Sequence, residues 1–478
     1  MKTQLLPAPQ APPSFGQSGS FVRQHRRRML RSDVLTTAAW ASVAAAVALW
    51  LADGGAAGFG TVAGAVTALG IVSGLAGMDL VLLMLLLSAR LPVIDMTVGH
   101  DRALDFHRKL GKPSLYLLLA HGILIAVGYG LAEGLDPVSE AVALWVQVPD
   151  MWLAFVSLVL FLAVVVTSLA AVRRRFPYEF WYGVHLLTYA AVLTSLPHQF
   201  SVGLFAEWTW QRWYWLSICV ATGAALVCYR LVRPVIVTLR HQLTVSRVIS
   251  LAPGVVSIEM SGFKLDTLAG AGGRFFIWRF LARDQWWHPH PFSLSSEPLH
   301  LDASGNGVLR ITVRNLGRGS AALAALRPGT RVAIEGPYGI FSSAGRSRDH
   351  VVMVGAGIGI TPLRALLEST AFRPGKATVI LRGHSQQELY LANEILELCR
   401  LRGATLFHVT GPRSTSNPNA WLPDREAHSG LRLQDYAPGL TAADVYICGP
   451  SAWARNVMTD ARTSGVHNEQ LHYERFDW

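Results

Sequence analysis

Four histidines lie in or beside apolar segments of the chain. They form two spaced pairs, His107 with His121 and His185 with His198, separated by 14 and 13 residues. An ionisable ring in a membrane helix is costly and usually has a function. At about 1.5 Å of rise per residue, each pair spans roughly 20 Å of helix. Because imidazole is a standard axial ligand of haem iron, two such helices could hold two stacked b-type haems.

The spacing of the second pair is irregular for a helix. Fourteen residues return to within about 40° of the same helix face, whereas thirteen residues miss it by about 140°. Pro197 directly precedes His198, and proline disrupts a helix locally. We therefore expect a kink or an unwound turn there. The alternatives are a loop histidine at the membrane surface, or a histidine that only bonds a neighbouring helix.

The composition indicates a membrane part joined to a soluble part. Of 478 residues, 51% are hydrophobic and 15% are charged, and the formal net charge is +11. The basic residues flank apolar segments and do not alternate with aromatic residues, so no nucleic-acid partner is expected. The four cysteines have no metal-binding spacing and imply no disulfide framework, which suits a cytosolic soluble part.

Six apolar runs predict a six-helix transmembrane bundle over residues 35–240. The runs cover about 35–52, 60–88, 113–132, 151–172, 179–198 and 213–232. Residues 1–34 are expected to form a disordered, basic cytosolic tail without a cleavable signal peptide. Basic and neutral loops alternate, so the positive-inside rule puts both termini in the cytoplasm of a multi-pass cell-membrane protein.

This topology sorts the histidines by depth. Both histidine-bearing helices run outward, so His107 pairs with His185 near the inner face, and His121 with His198 near the outer face. The first pairing requires the third helix to begin by about residue 104. Tryptophans cluster at the outer end of the sixth helix, as in an aromatic belt. They are Trp208, Trp210, Trp213 and Trp215.

The remainder of the chain predicts two further domains. Short alternating apolar runs over residues 241–345 indicate a small antiparallel β-barrel. Residues 346–478 alternate buried strands with helical stretches, which predicts a parallel α/β sheet. The fold class is therefore multidomain: a helical membrane bundle, an antiparallel barrel and an α/β domain.

Three motifs in these domains could bind a dinucleotide. A glycine-rich turn, Gly355 to Pro362, follows a strand and opens a helix, where backbone can approach a pyrophosphate. Its spacing is not G-x-G-x-x-G, and a purely structural turn is the alternative. The segments HPFSLSS from His290 and VRNLGRGS, with Arg314, could hold a diphosphate, or could be a strand end and a turn. Cys448 and Gly449 end a buried strand, where open α/β sheets place ligands.

Together these features resemble the ferric reductase/NADPH oxidase family, in which a six-helix, two-haem membrane domain is fused to a ferredoxin-reductase-like dehydrogenase. The resemblance covers nearly everything after residue 30. It rests on the 14- and 13-residue spacings, on RRRFPYEFWYGVH ending at His185, on HPFSLSS, GAGIGITP and CGP, and on the aromatic C-terminus HYERFDW.

The resemblance implies roles for the matching positions. His290 and Arg314 would contact the FAD diphosphate, Phe292 would stack on the flavin, and Ser293 would bond near its N5 atom. The remaining expected FAD contacts are Pro291, Gly317 and Ser320. The nicotinamide dinucleotide would be received by Gly355, Gly357, Gly359, Thr361 and Pro362. Cys448 and Gly449 would lie near the hydride path, and Phe476 or Trp478 would cover the flavin.

The choice between NADPH and NADH depends on basic residues beyond the second strand of the sheet. Arg382 and Arg413 are the candidates for binding a 2′-phosphate, and no acidic residue replaces them there. This favours NADPH, although either arginine could be an ordinary solvated charge.

The expected function is electron transfer from cytosolic NAD(P)H through FAD and two haems to a small acceptor outside the membrane, a ferric chelate or O₂. Animal oxidases of the family place a histidine one turn after the outer third-helix ligand, where this chain has Ile125, so superoxide production is less specifically indicated.

Asp79 is either a proton-path or haem-propionate contact or a structural residue. The alternatives are a transporter with a nucleotide-sensing domain and a cytochrome relay subunit; no obligate protein partner is evident.

Overall fold

The structure, a computed structural model, describes residues 19–202, 205–283, 285–300 and 305–475. The chain divides into two compact units. The helical unit comprises Ser32–Ile94 and Arg102–Arg230. The sheet unit comprises Leu231–Trp478, the segment Asp95–Asp101 and the chain up to Arg31.

The first half of the described chain is helical. In chain order its helices are α1 (Gly19–Ala52), α2 (Val62–Ser88), α3 (Pro92–Thr97), α4 (His100–Glu133), α5 (Pro137–Gln147), α6 (Met151–Ser168), α7 (Ala170–Arg173), α8 (Tyr178–Ser201), α9 (Trp210–Leu226) and α10 (Arg233–His241). A π-helical turn, Val227–Val232, joins α9 to α10.

Five helical stretches among the described residues are long and apolar enough to cross a membrane. They are Arg23–Ala52, Val62–Ser88, His100–Glu133, Met151–Ser168 and Trp210–His241. Large apolar side chains on them remain exposed, such as Ile123 at 62% and Val159 at 65%, which is the pattern that a lipid environment accommodates. The chain is therefore a membrane protein, and a sixth span at α8 stays a prediction.

Helices α1 and α5 differ from what the sequence predicts, whereas the start of α4 is as predicted. Helix α1 begins at Gly19, so the basic residues assigned to a disordered tail over 1–34 are helical from there on. Helix α5 occupies the predicted loop 133–150, because Asp136 caps it through Val138 N and Ser139 N and Pro137 starts it. Helix α4 begins at His100, before residue 104, as the pairing of His107 requires.

Of the kink or unwound turn expected at Pro197, the unwound turn is not observed. Helix α8 continues through this proline to Ser201, and a kink there stays a prediction. Hydroxyl and amide side chains bond the backbone around it: Ser195 Oγ donates to Val192 O (2.7 Å), Ser201 Oγ to Pro197 O (2.6 Å) and Gln199 Nε2 to Ser195 O (2.9 Å). The carbonyl that loses its backbone donor to the proline is that of Leu193.

The tryptophan cluster is only partly a surface belt. Trp208, Trp210 and Trp213 are exposed, but Trp215 is 1% exposed and packs in the core of the helical unit. Its ring stacks on Phe205 with centroids 5.2 Å apart, and its Nε1 donates to Gln199 Oε1 at 2.7 Å. The buried indole N–H thus has an acceptor, as a buried tryptophan requires.

The antiparallel part of the sheet unit contains two sheets. Its strands are β1 (Thr244–Ala252), β2 (Val255–Gly262), β3 (Phe275–Phe280), β4 (His290–Ser293), β5 (Leu299–His300), β6 (Gly307–Arg314) and β7 (Val332–Tyr338). The sheet orders are β1-β2-β6-β5 and β4-β3-β7. Isolated bridges, Thr244–Arg331 and Leu294–Ile311, connect the two sheets. The predicted antiparallel strands are present, and full closure into a barrel stays a prediction.

The predicted parallel α/β sheet is observed. It has the order β10-β9-β8-β11-β12, and every neighbouring pair is parallel. The strands are β8 (His350–Ala356), β9 (Ala377–Gly383), β10 (Thr405–Thr410), β11 (Ala443–Cys448) and β12 (Leu471–Glu474). The helices that follow α10 are α11 (Arg318–Ala322), α12 (Ile360–Ser369), α13 (Ala392–Arg402), α14 (Asp424–His428), α15 (Leu433–Tyr436) and α16 (Ser451–Thr463).

Both faces of this sheet are covered, which explains its continuous apolar strands. Val354 and Ile447 pack in the cluster that includes Val457 of α16. The alternate residues Met353 and Tyr446 pack in a second cluster with α12 and α13. The periodicity of two along each strand thus sends successive side chains into two different cores.

Buried ion pairs connect the antiparallel and parallel parts of the sheet unit. Arg310 of β6 donates to both carboxylate oxygens of Glu394 on α13, at 3.0 and 2.7 Å. Arg364 of α12 forms an ion pair with the same carboxylate at 3.0 Å. Glu297 N also donates to Glu368 of α12 at 2.7 Å. The predicted boundary at residue 345 separates the two antiparallel sheets from the parallel sheet, but all three sheets belong to one compact unit.

Asp444 is the most heavily bonded buried carboxylate that the structure describes in the parallel sheet. It is 0% exposed and accepts from Ser347 N (2.8 Å), Ser347 Oγ (3.0 Å), Arg348 N (2.6 Å) and His472 Nε2 (3.0 Å). It therefore ties the segment before β8 and the edge strand β12 to β11.

We expect Asp444→Ala to lower the free energy of unfolding by about 3–5 kcal/mol, because several buried donors lose a charged acceptor. The measurement is thermal unfolding of the purified full chain in detergent. Asp349→Ala, at an exposed position, is the control and should change stability little. A variant as stable as wild type would show that these bonds contribute nothing.

Candidate functional site

The helical unit encloses a cavity of about 920 Å³. Its volume lies at the upper end of the roughly 300–1,000 Å³ typical of ligand and cofactor sites. His121 and His198 both line it. The rest of the lining is mainly apolar and includes Leu75, Met78, Leu118, Phe155, Phe161 and Phe205. The histidines predicted for the outer layer are therefore brought to one apolar chamber.

Backbone carbonyls of α2 orient two of the rings. His121 Nδ1 lies 2.9 Å from Gly70 O, and His107 Nδ1 lies 3.0 Å from Met84 O. A carbonyl only accepts, so in each ring Nδ1 carries the proton and Nε2 keeps its lone pair for a metal. A Cβ at Gly74 would lie 2.6 Å from the His121 ring, so glycine makes the space that this ring occupies.

The predicted inner pair is also brought together. The His107 and His185 ring centroids are 6.1 Å apart. Trp181 stacks on His185 at 5.1 Å, and Ser168 Oγ lies 3.4 Å from His185 Nδ1. The fourth ring, His198, has a buried Nδ1 without a hydrogen-bond partner in the described part of the chain. The structure thus places all four histidines, and their role as ligands stays a prediction.

The two other membrane residues singled out from the sequence are now placed. Asp79 is 4% exposed and its Oδ1 accepts from Ser42 Oγ at 3.1 Å. The same hydroxyl lies 3.0 Å from the Tyr214 hydroxyl, whereas Asp79 Oδ2 has no hydrogen-bond partner among the described residues, so both interpretations of this carboxylate stay predictions. Ile125 lines the cavity beside His121.

In the sheet unit, the HPFS motif forms strand β4. It pairs with β3, with Ser293 opposite Phe275 and His290 opposite Trp278. Burial lowers the pKa of His290 to about 4, helped by His288 and Arg279, so its ring is neutral at physiological pH. The ring is 7% exposed, stacks on Phe292 at 5.8 Å, and has an Nε2 without a partner among the described residues.

The second diphosphate segment lies near this ring. A Cβ at Gly319 would lie 3.4 Å from the His290 ring, so α11 begins next to it. The Ser320 hydroxyl accepts from Leu316 N (2.9 Å) and donates to Gly317 O (3.1 Å). The hydroxyl therefore closes its own turn, and a role of this turn in holding a diphosphate stays a prediction.

The glycine-rich turn joins β8 to α12. Gly357 has φ of +56°, and a Cβ there would lie 4.0 Å from Arg314 Nη1. A Cβ at Gly359 would overlap Cys448 O at 2.3 Å. Gly355 pairs with Cys448 across the sheet. The turn thus lies close to both Arg314 and Cys448. It is at the carboxyl end of the parallel strands, where α/β sheets place ligands.

Thr361 and Pro362 are buried in the first turn of α12, where the Thr361 hydroxyl donates to Ile358 O at 2.9 Å. Gly449 is similarly confined, because a Cβ there would lie 2.8 Å from the Trp453 ring. These residues shape the turn. The backbone of the glycines in the turn is then the part that could approach a ligand.

Glu474 is a site residue that the sequence did not reveal. It lies opposite Cys448 on β12, and Cys448 Sγ donates to Glu474 O at 3.8 Å. Burial raises the pKa of Glu474, and the Asp101 and Asp95 carboxylates raise it further, while Arg274 and the adjacent Ser293 hydroxyl oppose this. Burial also raises the pKa of Cys448. Burial therefore favours the protonated forms of Glu474 and Cys448.

One predicted nucleotide contact is not available for that role. Arg382 is 5% exposed and its Nη2 donates to Gly411 O at 2.7 Å, while Nη1 donates to Gly383 O. The guanidinium bonds backbone carbonyls that surround it, and strand β9 lies between β10 and β8 in the sheet. Arg413 is exposed and donates to Pro418 O at 2.9 Å. Phe476 and Trp478 lie outside the described residues.

Glu474 should make stability depend on pH. A raised pKa in the folded state stabilises the protonated fold below the ordinary value of 4.5, and this contribution is lost as pH rises through the raised pKa. We expect the unfolding temperature of wild type to fall across this range and that of Glu474→Gln to fall less. Glu469→Gln, on the exposed surface, is the control. Parallel curves for wild type and Glu474→Gln would contradict the assignment.

The comparisons with known proteins match both halves of the chain. Residues 73–196 match the family described as "Ferric reductase like transmembrane component". Residues 353–459 match the "Oxidoreductase NAD-binding domain". The first match contains His107, His121 and His185, and it ends two residues before His198.

Three curated relatives illustrate the likeness. Ferredoxin–NADP reductase B of Sorangium cellulosum is 28% identical over 39% of this chain and 77% of its own length. Ferric reduction oxidase 7 of Arabidopsis thaliana is 27% identical over 64% of this chain and 41% of its own length. Respiratory burst oxidase homolog protein B of Arabidopsis thaliana is 29% identical over 43% and 26%.

The chain thus spans less than half the length of the two plant relatives. The matched regions nevertheless contain three of the four histidines and the parallel strands from residue 353 in β8 to β11, of which β11 ends at Cys448. The chain therefore joins a ferric reductase-like transmembrane domain to a ferredoxin-reductase-like, NAD-binding oxidoreductase domain.

Proposed function

We propose that this protein is a transmembrane oxidoreductase that moves electrons from cytosolic NAD(P)H through FAD and two b-type haems to an acceptor on the far side of the cell membrane. The observation that carries the proposal is the set of four imidazoles, two by two, in a chain with its own dinucleotide domain. A transporter would not need paired rings, and a relay subunit would not need this domain.

The residues fit haem in the helical unit. His107 with His185, and His121 with His198, would each supply two imidazoles, and the cavity beside the outer pair is apolar and large. The lone pairs on His107 and His121 Nε2 are the donor chemistry that haem iron takes. Haem, when bound, accepts and releases one electron at a time.

The residues fit FAD in the sheet unit. The unpartnered His290 Nε2 is a buried polar atom that needs a ligand. Because the pKa of His290 is lowered to about 4, this ring would offer a neutral hydrogen bond, and Arg314 would supply the positive charge for the diphosphate. Phe292, parallel to the His290 ring, supplies the apolar stacking surface.

The hydride path is proposed to lie between Ser293 and Cys448. Cys448 is 0% exposed and its pKa is raised by burial, so the sulfur is a neutral thiol and not a nucleophile. Burial likewise favours the protonated form of Glu474 next to Ser293. These buried groups would exclude water around the nicotinamide and flavin ring systems. Phe476 or Trp478 would cover the flavin until nicotinamide arrives.

The acceptor is proposed to be a ferric chelate or O₂. It would receive electrons by outer-sphere transfer, without a dedicated acceptor-binding site in the protein. Ile125 supplies no hydrogen-bond donor next to His121. Two polar groups of the cavity are also committed: Gln199 bonds Trp215 and Ser195, and Ser157 donates to Ala191 O at 2.7 Å. Outer-sphere transfer from the outer pair suits this lining.

The ligand assignment predicts spectra. With haem supplied, wild type should show a b-type Soret band that NADPH reduces anaerobically, and His121→Ala or His107→Ala should each lose about half of its intensity. Gly74→Val should resemble His121→Ala, because its side chain would occupy the space of the ring. His384→Ala, exposed in the sheet unit, is the control. Full bands in the two histidine variants would contradict the assignment.

Arg413 predicts the dinucleotide preference. We expect Arg413→Ala to raise KM for NADPH about tenfold or more and KM for NADH little, because only NADPH offers a 2′-phosphate to a charged donor. Steady-state kinetics with both dinucleotides measures this. Arg382→Ala should instead lower the unfolding temperature and leave the NADPH/NADH ratio unchanged. Equal effects of Arg413→Ala on both dinucleotides would remove the basis for an NADPH preference.

A further inference from the structure

The segment Asp95–Asp101 joins α2 to α4, yet it belongs to the sheet unit. Four of its residues, Asp95, Thr97, Gly99 and His100, are buried although they lie in a connection between membrane helices. Asp95 is 3% exposed and His100 is 6% exposed. A charged residue is rarely buried unless it is paired, so the partners of Asp95 show what this segment binds.

The Asp95 carboxylate holds a turn after strand β7. Its two oxygens accept from Gly339 N at 3.2 and 3.1 Å, and Arg274 Nη2 lies 3.5 Å away. Arg274 in turn donates to Pro337 O (2.8 Å) and Gly339 O (3.1 Å). The carboxylate and the guanidinium therefore clamp the same turn, and removing either leaves a buried charge without its partner.

The rest of the segment follows the same turn. The His100 ring lies 5.8 Å from both Tyr338 and Phe275, nearly parallel to Tyr338 at 24°. A Cβ at Gly99, whose φ is +93°, would lie 3.4 Å from the Ile340 side chain. Residues of this segment thus contact three successive residues, Tyr338, Gly339 and Ile340. We call this set of contacts the dock.

The dock adjoins the flavin residues. Phe275, on which His100 packs, is paired with Ser293 of β4 on one side and with Tyr338 of β7 on the other. A Cβ at Gly339 would lie 3.7 Å from Glu474 Oε2. The segment from the membrane connection is therefore one strand away from the hydroxyl assigned to the flavin.

We propose that Asp95 and His100 are positioning residues that fix the membrane connection to the flavin site and thereby set the rate of flavin-to-haem electron transfer. The proposal rests on the proposed function. His100 begins helix α4, and His107 follows seven residues later in the same helix. A rigid helix thus carries both the docked ring and an inner-pair ligand, so loosening the dock frees the start of that helix.

The first test measures the dock without any turnover. Hydrogen exchange of full-length, cofactor-loaded protein in detergent should show slow exchange at Gly339 N–H and over 95–101. In Asp95→Asn we expect faster exchange in both segments, by tenfold or more, with unchanged exchange around His121. Rapid exchange of both segments in wild type would overturn the proposal.

The second test separates two electron-transfer steps. In anaerobic stopped-flow experiments with NADPH, Asp95→Asn should reduce flavin at the wild-type rate but reduce haem on the order of tenfold more slowly, because the docked population falls. His100→Ala should do the same, and His100→Phe should restore most of the rate by keeping a ring against Tyr338. Glu133→Gln, an exposed carboxylate at the far end of α4, is the matched control.

The outcomes distinguish the two proposals. Slower haem reduction with unchanged flavin reduction, and with wild-type FAD and haem content, supports the positioning role. Haem reduction at the wild-type rate in both Asp95→Asn and His100→Ala overturns it while leaving the proposed function intact. Wild-type protein whose flavin is reduced but whose haem is not would overturn the proposed function and this inference together.

Discussion

The helical unit depends on one constraint, the need of a buried imidazole N–H for an acceptor in an apolar bundle. His121 and His107 of α4 both meet it with backbone carbonyls of α2, Gly70 O and Met84 O. This requires the two helices to pack closely. Gly70 and Gly74 permit that approach, since a Cβ at either would lie within about 3 Å of α4 atoms, as small residues do in membrane helix pairs. Once Nδ1 is satisfied, Nε2 is the ring atom left to bind a metal.

The sheet unit handles its buried polar groups in two ways. Some are held by several hydrogen bonds, as Asp444 and Glu394 are. For others burial favours the neutral form, because it lowers the pKa of His290 and raises those of Cys448 and Glu474. Each shift follows from the cost of a charge in a medium of low polarity. Arg274 lies beside Glu474, and Arg314 lies close to the glycine turn.

Several sequence interpretations were accurate because they depend on local pattern. The parallel strands of 346–478 are continuous apolar runs, the glycine turn follows β8, and α4 starts before His107. Other interpretations were wrong where the tertiary surroundings of a residue, and not its neighbours in sequence, decide its role. Pro197 does not unwind α8, which continues to Ser201. Trp215 is not part of the aromatic belt, because it is buried and its N–H donates to Gln199. Arg382 is surrounded by backbone carbonyls of the sheet.

The linear chain was sufficient for the residue types and their spacing: two histidine pairs, a dinucleotide-binding turn and the order of the domains. These are local properties, set by hydrophobic period, charge and glycine placement. It could not show which distant groups meet. Glu474 joins Cys448 and Ser293 through strand register, and Asp95 reaches Gly339 across 244 positions of sequence. Such contacts arise when buried polar groups must find partners, and only the folded chain decides which partners are within reach.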